Sequence, residues 1–455
     1  MSRTSIIVAQ VLVCFALNHT DAWAKVSSEV SHTQTVISMT HKQVIDFAKD
    51  LMAQNKLDDA RTVLLAKPYA DRELEIERLY LLAQIAAAQK KYDEAIDIYY
   101  FILDYQPDIA NIRVRLAELL LLKEEWLRSD YHFRLALADK NLPPSVSQKV
   151  QNALKYIRYN KNWNLWLNFG VAPDSNVNNT TSGEQCVMTT FGPVCNTLDK
   201  PQRDVGLNAS IGGNYEHKLS EAWRLRHEGM IYTARYRDKQ YDDVYLSYVL
   251  GGRYIYRNGD IVIGPAVTRR YLGHKPYNYS LGLKAETNYD VSQQLSLNLN
   301  LQYMPTFYDD YGKILDGDVK GVHTRAFYAI DSSKYLVGKV GYEYEKTKDS
   351  VYTNYRMNFA LGFGAELSYG FHVYVEPALQ YTQYKDARWT VRDYQFVRIK
   401  ERDVTQRYSV SLSNRNIEFM GFMPILTYTY TDKDSNIWQR GYHKSLIELS
   451  VQKRF

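Results

Sequence analysis

Along the first third of the chain apolar residues recur at intervals of three and four; from Trp163 onward they recur at two. The first spacing lines one face of a helix, the second one face of a strand. Between Gln43 and Asn160 no glycine interrupts the helical pattern. There Leu79, Leu82, Ala83 and Ala86 are followed by Tyr92, Ala95, Tyr99, Ile102 and Pro107. About 34 residues on, Leu116, Ala117 and Leu120 precede Trp126, Ser129, Phe133 and Ala136. About 35 residues earlier, Phe47 and Ala48 precede Leu57, Ala60, Leu64 and Pro68.

That spacing resembles tetratricopeptide repeats, each a pair of antiparallel helices. Ala83, Ala95 and Ala117 let helices approach closely, while Tyr92, Tyr99 and Trp126 fill the space beside them. Three such units bury a shared core and leave a concave face for a partner. The expectation is a helical repeat domain over 38–160.

Past residue 160 the alternation is that of amphipathic strands. Trp163, Leu165, Leu167, Phe169 and Val171 alternate with Asn164, Trp166, Asn168 and Gly170; Leu295 to Tyr303 and Tyr355 to Phe363 behave alike. Fourteen segments are expected, beginning near 163, 204, 223, 243, 261, 279, 295, 320, 334, 355, 371, 401, 418 and 443. Short turns such as Lys218–Glu221 and Val291–Gln294 alternate with longer loops over 173–203, 309–319, 385–400 and 432–442. That asymmetry, with an even strand count, predicts a 14-stranded antiparallel outer-membrane β-barrel over 161–455. Of 39 tyrosines, 30 follow residue 160, which suits aromatic girdles at the membrane–water boundary. The fold class is therefore multidomain: N-terminal helices, C-terminal membrane barrel, both barrel termini on the short-turn side. The helices are then expected in the periplasm.

Charge changes the picture only in the barrel. Overall, 56 basic against 51 acidic residues give +5, too weak a balance to suggest nucleic acid. Within the strands, parity places Arg224, Arg226, Glu228, Lys284, Glu286, Lys339, Glu343, Arg356 and Glu366 inward. Facing lipid at mid-membrane, a basic residue among these would cost about 2–4 kcal/mol. Inside, these groups form either a polar path or a wall of ion pairs. At the other end of the chain, Arg3, the apolar run Ile6–Leu17 and Ala22-Trp23-Ala24 read as a cleavable export signal over 1–24, followed by a linker over 25–37. In an exported chain the pair Cys186 and Cys195 is expected to form a disulfide. HExxH, P-loop and GxSxG patterns do not occur, so the chain is read as a non-enzyme without cofactor or metal.

Export signal, helical repeats and fourteen strands together resemble the surface lipoprotein assembly modulator (Slam) family. The first strand and its exit carry the motif: Gly170, Ala172, Pro173, Asp174, Ser175, Asn176 and Asn178 match the family's G-x-A-P-D-S-N-x-N stretch. Physically, Pro173 ends the strand and the polar residues after it can bond local backbone, so the motif also reads as a turn at the barrel rim. The resemblance implies a translocon, a monomer in outer-membrane lipid. It would carry a lipoprotein, or a soluble haem- or iron-binding protein, from periplasm to cell surface, with periplasmic chaperones and the barrel-assembly machinery as further partners. The route would be the lumen or a seam between the first and last strands. Other readings of the same architecture are an exopolysaccharide exporter, and a passive porin or adhesin with a periplasmic handle.

Overall fold

The computed structural model describes residues 39–65 and 68–454. The expected export signal and linker, and the terminal Phe455, lie outside the described residues.

The helical part comprises α1 (His41–Ala53), α2 (Leu57–Leu65), α3 (Arg72–Ala88), α4 (Tyr92–Tyr105), α5 (Ala110–Leu122), α6 (Trp126–Ala136) and α7 (Pro144–Asn160). Thr40 and Gln43 close a capping box on α1, and Asp71 accepts the Leu74 amide at the start of α3, satisfying donors that a helix start leaves free. Ala83, Ala95 and Ala117 are wholly buried where helices meet, and Tyr92 and Trp126 pack against that core. The repeat is also written in the backbone. Asn55, Lys90 and Glu124, 35 and 34 residues apart, each take φ near 60° in the turn between paired helices. No helix among the described residues is long and apolar enough to cross a membrane.

The strands are β1 (Trp163–Asp174), β2 (Glu184–Thr189), β3 (Gly192–Thr197), β4 (Asp204–Lys218), β5 (Trp223–Arg235), β6 (Asp243–Tyr256), β7 (Gly259–Leu272), β8 (Lys275–Asp290), β9 (Leu295–Tyr308), β10 (Gly317–Ala329), β11 (Lys334–Thr347), β12 (Asn354–Glu366), β13 (Phe371–Arg392), β14 (Gln395–Asn414), β15 (Met423–Ser435) and β16 (Tyr442–Arg454). β1 and β4–β16 close a barrel, with β1 paired to both β4 and β16. Leu207, Ile231, Leu281, Val340, Leu361 and Leu449 point outward and are exposed, as a lipid-facing wall requires. Tyrosines divide between the two faces. Tyr215, Tyr248, Tyr279 and Tyr303 are exposed outside, whereas Tyr232, Tyr245 and Tyr308 border a cavity in the lumen. The excess therefore furnishes the lumen as well as the girdles.

Two connections differ from expectation. Residues 385–400 form no loop: β13 and β14 run 22 and 20 residues, pair out to Arg392 and Gln395, and stand beyond their neighbours as a hairpin. Above a membrane a strand needs no apolar face, so its many charges hid it. On the helix side, the β14–β15 turn spans 415–422 rather than closing at Ile417. β2 and β3 form a separate hairpin in the β1–β4 connection; Cys186 and Cys195 are opposed across it and disulfide-bonded.

Candidate functional site

Two places in this fold join parts remote in sequence: the junction between helices and barrel, and the seam between β1 and β16.

At the junction the helices meet all six helix-side turns or the strand ends beside them. Tyr159 O at the end of α7 accepts from Arg224 (3.0 Å), next to the β4–β5 turn. Arg158 donates to Arg257 O in the β6–β7 turn (3.2 Å) and to Asp290 beside the β8–β9 turn. Arg134 of α6 reaches the other Asp290 oxygen at 2.8 Å, and Gln294 donates to Ala138 O at 3.2 Å. Leu135 and Ala138 bury Ala329 beside the β10–β11 turn, with Tyr131, Phe327 and Tyr335 packed around them. Near the β12–β13 turn, Arg113 of α5 gives Nη2 to Glu366 Oε2 at 2.8 Å. At the β14–β15 turn, Arg415 donates to both Glu366 (3.1 Å) and Asp104 of α4 (2.6 Å), and Asn416 to Asp104 (2.7 Å). The helical domain thus lies across this mouth of the barrel. Lys161, between α7 and β1, is half-buried there, and desolvation pushes its amine down to about 8.

Arg113 is fully buried, and such an ion can persist only if its donors are met. Nε and Nη2 bond Pro107 O, Nη2 also meets Glu366, and Nη1 faces His132 Nδ1 at 3.1 Å. Because guanidinium only donates, Nδ1 must accept; the ring is then neutral with its proton on Nε2, pointing at Tyr100 Oη 3.2 Å away. Burial, with Arg113 adding to it, holds His132 well below its ordinary value of 6.5. An unfolded helical domain would protonate His132 near that value; the folded one, where Arg113 and Tyr100 hold the ring, would not. The folded, docked domain should therefore be at full stability above pH 6.5 and weaken by about 1.4 kcal/mol per unit below it. A cysteine at Ala329, buried under α6, reports this; its labelling by a thiol reagent should speed up about ten-fold one unit below that point, and His132→Asn should flatten the response.

The seam is held by a backbone ladder and, at its far end, by a cluster of side chains. Backbone register between β1 and β16 runs from Trp166↔Arg454 to Val171↔Leu449 and resumes at Asp174↔Leu446. Pro173, without an N–H, stands in the gap. Beyond it side chains join the backbone. Asp174 pairs with Lys444 (2.6 Å), Ser175 exchanges bonds with Ser445 (3.0 and 2.8 Å), and Asn176 donates to His443 O (2.9 Å). Asn178 bonds Lys200 O and the Gln202 amide (2.9 Å each), tying the β2–β3 connection down. Lower on the seam Gly170 opposes Ser450; a Cβ on Gly170 would stand 3.0 Å from Glu448 Oε1. Ala172 is buried on the lumen side. The motif read as a rim turn is thus also a polar clasp between first and last strands.

The other sequence-derived positions all lie on inward-facing sites but meet unforeseen partners. Arg226 pairs with Glu228 (2.7 Å), Lys339 with Glu376 (2.7 Å), Arg356 with Glu343 and Glu345 (3.2 and 3.3 Å), and Glu286 accepts from Asn298 (2.8 Å). Lys284 lines the lumen cavity that holds Tyr232 and Tyr245. Glu366 belongs to the junction. Asp104, Arg113 and His132 escaped the sequence reading, although a charge flanked by Ile112 and Val114 was a visible irregularity.

A family model described as surface lipoprotein assembly modifier matches residues 163–455. The chain is 21% identical, over 92% of its length and 86% of the other, to the surface lipoprotein assembly modifier of Pasteurella multocida. It is 21% identical to surface lipoprotein assembly modifier 1 of Neisseria meningitidis serogroup B, covering 89% and 81%. Among solved structures it is similar to the type III secretion chaperone SycD of Yersinia enterocolitica in complex with a peptide of the translocator YopD (24% identity, 28% and 99% covered, TM-score 0.26).

Proposed function

This chain belongs to the surface lipoprotein assembly modifier family, and we propose that it moves a specific protein from the periplasm to the cell surface. The barrel sits in the outer membrane and the helices in the periplasm. The cargo is a surface lipoprotein or a soluble protein of haem or iron acquisition, and no covalent step is assigned to the chain. The observation that carries this reading is the junction: a helical domain fixed to every periplasmic turn delivers whatever it holds at the barrel mouth. Hydrogen bonds and ion pairs of α1–α3 among the described residues stay within the helical domain, which leaves those helices for cargo or a chaperone. The β1–β16 seam supplies a lateral exit, since its inner part rests on a short ladder.

Surface display tests this. The chain is expressed with a candidate lipoprotein encoded beside it, and intact cells are labelled with antibody to that lipoprotein. Labelling should require the chain and be lost when residues 38–160 are deleted, with the barrel still migrating as a folded species. Equal labelling with and without the chain would sink the reading for that cargo.

A further inference from the structure

One level of the lumen wall carries charge that neither junction nor seam uses. Register fixes the row: Arg325 stands opposite Lys339, Lys339 opposite Ala360, Ala360 opposite Ala378, and Ala378 opposite Arg407. With strands about 4.8 Å apart, two alanines make a floor between cations whose backbones are roughly 14 Å apart along the wall. These five residues border one cavity of about 340 Å³.

The cations there are unequal. Lys339 Nζ donates to both oxygens of Glu376, the carboxylate in the same cavity (3.0 and 2.7 Å), and nearby His323 is engaged by Glu343 (3.1 Å). Arg325 and Arg407 make no hydrogen bond or ion pair among the described residues and lie open to lumen water. Elsewhere in the barrel Arg226, Arg253, Arg356 and Arg388 each meet a carboxylate. Two guanidinium forks therefore face an alanine-floored hollow whose one carboxylate, Glu376, lies in the field of Arg325 but is hydrogen-bonded by Lys339. A guanidinium matches a carboxylate in bidentate fashion, and a ring of fixed charge selects what enters a pore.

We propose that this row receives an acidic, extended polypeptide segment, whose carboxylates bind Arg325 and Arg407. The identification of that segment as part of the cargo rests on the translocation reading above; the binding chemistry does not.

The test uses the purified full chain in detergent, a short dye-labelled Glu/Ser peptide, a Lys/Ser peptide of equal length, and fluorescence anisotropy. The acidic peptide should bind at least about ten-fold tighter than the basic one, and Arg325→Ala with Arg407→Ala should remove that preference. Lys313→Ala, an exposed cation outside the barrel wall, should leave affinity within about two-fold. Heat-dependent gel migration verifies that each variant is a folded barrel. Acidic-peptide binding that is equal in the folded parent and the folded double variant overturns the proposal, as does inorganic phosphate competing at concentrations no higher than the peptide's. Surface display by the parent chain is scored separately. Display without arginine-dependent peptide binding removes the row alone; arginine-dependent binding without display leaves the peptide site standing and removes the translocation reading.

Discussion

Glu366→Ala is expected to release the helical domain from the barrel. The carboxylate it removes is shared by Arg113 and Arg415, and Arg113 is wholly buried. Without it that guanidinium keeps Pro107 O and His132 Nδ1 but no counter-charge. Breaking a buried pair from one side costs about 3–5 kcal/mol, which is about a hundred-fold or more in the ratio of docked to released protein. Labelling of a cysteine at Ala329 should rise by that factor, and ion conductance across planar bilayers should rise with it as the mouth is uncovered. Glu366→Gln keeps an acceptor and should show a smaller change. Glu448→Ala, which removes another inward carboxylate away from the helices, should show none. An Ala329 cysteine equally protected in parent and Glu366→Ala proteins would mean that the other five turns hold the domain unaided.

The second large effect concerns the seam. Val171 and Leu449 are opposed across it, both facing lipid, away from the clasp and from the lumen. A disulfide through Val171→Cys and Leu449→Cys should cut cargo display to about a tenth or less under oxidising conditions, with recovery on reduction, because lateral opening must separate these two backbones. The single-cysteine variants should export normally. Undiminished display with the crosslink formed would direct the route to the lumen. Glu366→Ala and the crosslink act at different steps, entry and exit, so their effects on display are distinguishable.

Much of this architecture is visible in the residues and some of it is not, for physical reasons. Alternation reveals a strand when one face meets lipid, as at Leu295–Tyr303. It fails where both faces meet water, as at Arg392, Arg398 and Lys400 on the β13–β14 hairpin. The 34-residue spacing shows the repeats because small and large residues must alternate in every unit. Docking leaves hardly a trace, because Arg113 and Glu366 are 253 residues apart and each is ordinary in its own element. The Asp174–Asn176 stretch showed that the backbone turns there; that its side chains reach β16 depends on closure of the barrel.

The disulfide-bonded β2–β3 hairpin ends outside the cell, its Met188 amide resting on Tyr394 O at the tip of the tall β13–β14 hairpin (2.9 Å). Thiol oxidation in Gram-negative bacteria takes place in the periplasm. The bond between Cys186 and Cys195 is thus made before the segment crosses the bilayer, and what crosses is a closed loop, two chains abreast. Biogenesis of this barrel must therefore pass a preformed, covalently sealed object through the membrane.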